Sequence, residues 1–280
     1  MRGGGLMARI AHLSDIHFGG ENVAAVAGAA SWIAANTPDV VVITGDITSF
    51  GRPAEFAGAA AWIGGLAPPV VITPGNHDTP YLGIVERLAA PFARFERLFG
   101  RADGVFWSAP GLAVSTLNTA RGAQVRLNWS KGAVAHRQVV ASLDRFGVAA
   151  GALRVVACHH PLVEMVGGPM TARVRGGERA ARKLCEGGVD LILTGHIHAP
   201  FAMAFPYGDG RAYAVGASTL SVRERGVPAG FNLVDIDDAA IDVTALGWSG
   251  SGFETWRTWR LDRRGRAGTG AGMEPAALGG

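Results

Sequence analysis

Five short apolar runs, each ending on a cluster of Asp, Asn, Gly or His, constrain this chain more than any other feature. Residues 9–14 (RIAHLS), 39–44 (DVVVIT), 70–73 (VVIT), 153–157 (LRVVA) and 189–194 (VDLILT) are rich in β-branched side chains and read as buried strands. Directly after them come Asp15-Ile16-His17, Gly45-Asp46, Gly75-Asn76-His77-Asp78, His159-His160-Pro161 and Gly195-His196-Ile197-His198. In open α/β sheets, ligands bind outside the carboxyl ends of the strands, so all five clusters point to one site.

Helical patterns lie between the runs, at roughly 23–35, 53–65, 84–99, 132–146 and 176–186, several closed by Gly. Strand and helix alternate, which makes the core α/β. After Gly195 the pattern shifts to closely spaced strand candidates near 201–206, 211–216, 229–236, 240–248 and 255–261, which read as an antiparallel second sheet. Two sheets face to face with helices outside give a four-layer α/β/β/α sandwich. One domain over residues 7–262 is the simplest account, with a flexible leader at 1–6 and a disordered Gly- and Arg-containing tail at 263–280.

At 48% hydrophobic and 18% charged residues, the 280-residue chain has the make-up of a folded globular protein. Of its 26 basic residues only Lys131 and Lys183 are lysines, a bias we attribute to coding. The net charge of +3 is small and the Arg residues are scattered, so no nucleic-acid polymer is implied as a partner. Cys158 and Cys185 share no C-x-x-C spacing and read as buried free thiols. No apolar run is long enough to span a membrane, and residues 1–10 lack the apolar centre of a signal peptide, so a cytoplasmic protein is expected.

Taken singly, the polar clusters have bland readings. Asp15 or Asp46 alone would serve as a turn residue or helix cap, and Asn76 could simply take a left-handed turn conformation. Together they are an ordered set of carboxylates, an amide oxygen and imidazoles; of the eight histidines only His12 and His136 fall outside it, and these read as structural. This N/O donor set suits Mn, Fe, Zn or Co better than Ca or Mg alone. In D-x-H and H-x-H, residues two apart on an extended chain point the same way, so each pair reads as a chelate. The glycines at 45, 75 and 195 allow tight turns and close backbone approach.

D-x-H, G-D, G-N-H-D, H-x-P and G-H-x-H in this order resemble the calcineurin-like metallophosphoesterases, over about residues 9–200. The spacing and the G-N-H-D form look nearest to bacterial class III cyclic-nucleotide and glycerophosphodiester phosphodiesterases. The resemblance implies the metallophosphoesterase fold, two mixed sheets flanked by helices, and two transition-metal ions. One ion would take Asp15, His17 and His198, the other Asn76, His159 and His196, with Asp46 shared. It selects His159, two places before Pro161, over His160, which would then support its neighbour or face the substrate. It also implies in-line attack by a metal-bridging hydroxide, with His77 at the phosphoryl or leaving-group oxygen and Asp78 holding the other ring nitrogen of His77.

The expected partner is a small phosphate ester, with phosphodiesters leading. The alternatives are a UDP-diacylglucosamine-type pyrophosphatase, a phosphomonoesterase, or a scaffold of this fold without catalysis; a nuclease would call for a DNA-binding extension. Arg173 and Arg175 are candidates for touching a substrate phosphate, whereas Arg179 and Arg182 read as solvated helix surface. Tyr81 is a candidate for stacking on a base or another apolar leaving group. Phe92, Phe95 and Phe99 recur at helical spacing and read as core. Trp248, Trp256 and Trp259 mark a sheet face or a homo-oligomer contact.

Overall fold

A computed structural model describes residues 6–124, 130–149, 151–164 and 174–263. The strands are β1 (Leu6–Leu13), β2 (Val40–Thr44), β3 (Val70–Thr73), β4 (Phe106–Ala109), β5 (Leu112–Thr116), β6 (Leu153–Ala157), β7 (Leu191–Thr194), β8 (Phe201–Ala204), β9 (Tyr213–Gly216), β10 (Gly230–Asp237), β11 (Ala240–Trp248) and β12 (Phe253–Asp262). The helices are α1 (Val23–Asn36), α2 (Pro53–Gly64), α3 (Ile84–Ala89), α4 (Ala93–Phe99), α5 (His136–Phe146) and α6 (Gly177–Glu186). They build two six-stranded mixed sheets, ordered β12-β11-β10-β1-β2-β3 and β4-β5-β6-β7-β9-β8.

Three apolar layers hold the sandwich together. Between the sheets, Ile10, Val40, Val42 and Val71 of one sheet pack with Val114, Val155, Leu191 and Val215 of the other. Outside the first sheet, Ala29 and Ile33 of α1, Phe56 of α2 and Phe95 of α4 form a second layer, with Phe92 and Phe99 packed against it. Outside the second sheet, Val139 and Phe146 of α5 meet Ala181 and Leu184 of α6. Both faces of the central strands are covered, which is why they read as continuous apolar runs rather than alternating ones, whereas the edge strand β12 is largely exposed.

The structure corrects three expectations. The strands after Gly195 do not form a separate antiparallel sheet: β9 joins β7 in parallel with β8 antiparallel beside it, and β10 pairs antiparallel with β1. Each sheet is thereby mixed, and β10 covers an edge that β1 would otherwise expose. The helix expected over 84–99 is two helices, because Pro91 lacks an N–H and bars Ala90 from helical geometry. Helix α5 begins at His136 rather than at residue 132, since Ala133 is bridged to Arg175. Strand β1 begins at Leu6, inside the expected leader, and Arg263 is bonded through its N–H to the Ala239 carbonyl. Residues 1–5 and 264–280 lie outside the described residues.

Candidate metal centre

Strands β1, β2, β3, β6 and β7 bring their carboxyl ends to one place, and the loops leaving them carry the donors. Asp15, His17, Asp46, Asn76, His159, His196 and His198 are all buried. The backbone explains how they converge. Among the described residues, six non-glycine positions have positive φ, and five of them are Asp15 (52°), His17 (53°), Asp46 (48°), His196 (69°) and His198 (61°). The expected extended geometry for D-x-H and H-x-H is therefore not what occurs. The strands stop at Leu13 and Thr194, and left-handed residues beyond them fold each donor inward. Asp, Asn and His tolerate this region best after Gly, and such positions cluster at functional sites.

Close backbone approach does account for the glycines. A Cβ on Gly75 would lie 2.1 Å from Asp46 Oδ1, and one on Gly195 would lie 2.4 Å from Asp15 Oδ2. Gly45 combines φ of 84° with a Cβ position 2.8 Å from His159 Nδ1.

The donor atoms form two connected groups. In the first, His198 Nε2 lies 3.1 Å from Asp15 Oδ1 and 3.4 Å from His17 Nε2. In the second, His159 Nε2 lies 3.2 Å from Asn76 Oδ1, and the rings of His159 and His196 are 5.1 Å apart. Asp46 Oδ2 joins them, at 3.3 Å from His159 Nε2 and 3.9 Å from His17 Nε2. These spacings match the edges of a polyhedron whose donors lie about 2.0–2.2 Å from a central ion. Asp15 Oδ1 is buried with no well-aligned hydrogen-bond donor, its His198 Nε2 contact at 3.1 Å being a donor–donor spacing that a shared cation would explain. Donor types and spacing both fit transition-metal ions.

Carbonyls behind the candidate ligands fix their rings. His159 Nδ1 bonds the Thr44 carbonyl at 2.8 Å and His198 Nδ1 the Arg223 carbonyl at 3.0 Å, leaving each Nε2 for the centre. Thr44, Arg223 and Ser49, which holds His77, had no sequence signal because they act through the main chain.

Electrostatics favour the ligating state in most of these candidate donors. Burial pushes His17 and His196 down to about 4, so both are neutral near pH 7. Burial opposes ionisation of Asp15 and Asp46, but His198 beside the first and His159 beside the second hold both carboxyls below the usual range. At His159, burial is outweighed by Asp46, which raises the imidazole to about 9. An ion there would take the place of that proton.

His160 reaches the same corner, with a ring nitrogen within 4.8 Å of one from His159 and one from His196. Its own nitrogens are both engaged, however. Nδ1 is 2.8 Å from Thr119 Oγ1 and Nε2 is 2.7 Å from the Ser130 carbonyl. Since Thr119 Oγ1 also accepts the His160 N–H, its proton goes to Nδ1 while Nε2–H donates to Ser130. No lone pair is left for an ion, so proximity alone does not make His160 a donor.

Asp78 departs from the expectation. Its carboxylate accepts from the N–H groups of Ile47, Thr48 and Gly75 and from Thr48 Oγ1, and so ties the loops after β2 and β3 together. It does not hold His77, whose Nδ1 lies 2.7 Å from the Ser49 carbonyl and whose N–H donates to Asp46 Oδ1. Burial, with Asp46 adding to it, raises Asp78 to about 6.

Of the remaining candidates, Tyr81 is 57% exposed and edge-on to Phe50, and Arg173 lies outside the described residues. Arg179 lines a groove of about 200 Å³ between α5 and α6, and Arg182 lies over the Tyr207 ring. His12 is buried against Thr44 and Asn232. Cys158 and Cys185 are buried free thiols. Trp248 packs on α1 at Gly28 and Trp259 is partly buried, whereas Trp256 is exposed. Among the described residues, no helix is long and apolar enough to cross a membrane.

Two layered mixed sheets with a His- and Asp-rich cluster at their carboxyl ends define a dimetal phosphoesterase fold. The chain belongs to the calcineurin-like phosphoesterase family, whose sequence profile matches residues 8–200. Among solved structures it is similar to a dimetal phosphatase from Danio rerio, at 11% identity and a TM-score of 0.67, covering 92% of this chain and 99% of that one. It is also similar to the purple acid phosphatase PPD1 from yellow lupin (Lupinus luteus), at 12% identity and TM-score 0.65, covering 91% of this chain and 54% of that one. GAP50 of Plasmodium aligns at 12% identity and TM-score 0.60, covering 94% and 90%. No curated protein sequence matches the chain.

Proposed function

We propose that this chain is a binuclear metallohydrolase of small phosphodiesters, with 3′,5′-cyclic nucleotides and glycerophosphodiesters as the leading substrate class. The observation that carries the reading is Asp46 Oδ2, placed between a group made by Asp15, His17 and His198 and another made by Asn76, His159 and His196. These residues would hold two ions of Mn, Fe, Zn or Co, Asp46 contributing to both. Such a pair, when bound, polarises phosphoryl oxygens and makes water acidic enough to attack near neutral pH.

The chain's own residues do the rest. His77 is half-buried, its ring edge-on to His17 with centroids 4.9 Å apart, and Ser49 fixes its Nδ1. Its Nε2 is then the nitrogen that would meet a phosphoryl or leaving-group oxygen, and because Nδ1–H is given to Ser49, a proton passes from Nε2 to that oxygen only when the ring is the doubly protonated imidazolium. The Thr44 and Arg223 carbonyls orient His159 and His198. A scaffold without catalysis is disfavoured because all seven donors and His77 are retained together. Metal analysis combined with turnover of bis-p-nitrophenyl phosphate tests the reading: about two ions per chain with turnover is expected, and absence of both overturns it.

A further inference from the structure

One segment of the surface is built inside out. Tyr81, Leu82, Ile84, Val85 and Leu88 are exposed by 57%, 80%, 62%, 81% and 58%, five large apolar side chains within eight positions. The polar residues of the same segment turn inward. Arg87 is buried with Nε on the Gly122 carbonyl, and Glu86 pairs with Arg94, which also bonds the Gly51 carbonyl. These bonds pin α3 with its apolar side outward, so the exposure is a fixed property of the fold. An exposed apolar patch held this way marks an interaction surface.

The patch adjoins the metal centre. The Tyr81 N–H donates to the Phe50 carbonyl, and the residue before Phe50 is Ser49, whose carbonyl holds His77. Its border carries an exposed guanidinium: that of Arg52 lies 4.8 Å from the Phe50 ring centroid, and its side chain is 58% exposed. Glu55, its ion-pair partner, stands at 4.0 Å and already accepts from the Phe50 and Arg52 N–H groups. Apolar side chains edged by a guanidinium complement an anionic lipid surface, where acyl chains cover the first and headgroup phosphates meet the second. We propose that residues 81–88 dock this protein on an anionic lipid surface, placing the mouth of the metal centre at the lipid–water boundary.

Co-sedimentation of the full chain with vesicles of phosphatidylcholine alone or mixed with phosphatidylglycerol tests this without any assay of catalysis. Binding to the mixed vesicles is expected, weakening as salt is raised, and becoming about tenfold weaker in a Leu82→Gln, Val85→Gln double variant. Arg52→Gln reads the charge contribution alone and should weaken binding to the mixed vesicles only. Absence of pelleting with the mixed vesicles, or pelleting unchanged in the double variant, overturns the proposal. So does a dimer in sedimentation equilibrium that Val85→Glu converts to monomer, since the occupant would then be a second copy.

Discussion

The imidazole Nδ1 of His77 lies 2.7 Å from the carbonyl oxygen of Ser49, and the neighbouring Asp78 makes no part of that contact. Ser49 follows β2 and His77 follows β3, so the pairing of those strands positions the proposed proton donor. The carbonyl partner fixes the ring with Nδ1–H on Ser49 and turns Nε2 toward the candidate metal centre.

His77→Ala should therefore retain about two ions per chain and lose roughly 10²–10⁴-fold in turnover, most on esters with poor leaving groups. Asp78→Asn should instead act through stability, because one carboxylate bonds four donors there. Metal analysis and thermal unfolding, run on both variants, separate the two roles. Unchanged turnover in His77→Ala refutes the assignment.

His159→Gln should lose metal, whereas His160→Gln should keep it, because both nitrogens of His160 are already bonded to Thr119 and Ser130. A loss of metal in His160→Gln comparable to that in His159→Gln would make His160 a donor.

Gly75→Ala should cost at least about tenfold in metal affinity, since the new Cβ would fall 2.1 Å from Asp46 Oδ1 and push the shared carboxylate away. Gly151, which has open space around it, is the control; Gly151→Asn should bind metal as the parent does. Titration calorimetry reads both.

Burial holds the His12 imidazole down at about 3, with Asp15 acting weakly in the opposite sense. The network agrees: Asn232 donates to Nδ1, so a proton there would face another donor. Unfolded, the same group titrates near about 6.5. Between those two pH values the unfolded chain binds more protons, so this contribution to stability is complete above about pH 6.5 and is lost as pH falls. Within that window each pH unit should remove up to about 1.4 kcal/mol from the metal-free protein. Urea unfolding at about pH 7.5 and about pH 5.5 should show a smaller pH effect in His12→Asn than in the parent. Equal effects would rule out His12 as a source.

The convergence of this candidate site can be read from the sequence because its candidate donors sit directly behind apolar runs, where strand ends fix their position. Which sheet each late strand joins cannot be read so. Strands β8 and β9 look like β10 to β12 in pattern, and only pairing with β7 or β1 separates them. The hairpin of β4 and β5 was missed although Pro110-Gly111 stands between its two apolar stretches, a turn signal that could have revealed it. Asp78 turns to the loop N–H groups rather than to His77 because adjacency in sequence does not set which way two successive side chains turn. The inverted polarity of α3 is invisible to periodicity, which finds an apolar face but not whether it points in or out.

The left-handed backbone at Asp15, His17, Asp46, His196 and His198 also narrows what evolution or design can do with this site. Coordination chemistry alone would admit Glu or Cys at several of these places. The main chain adds a second filter, since side chains outside the Asp, Asn, His and Gly group pay a conformational penalty at φ near these values. A metal preference would therefore be retuned more readily by exchanging Asp for Asn, or by altering the carbonyls behind the imidazoles, than by importing new donor types.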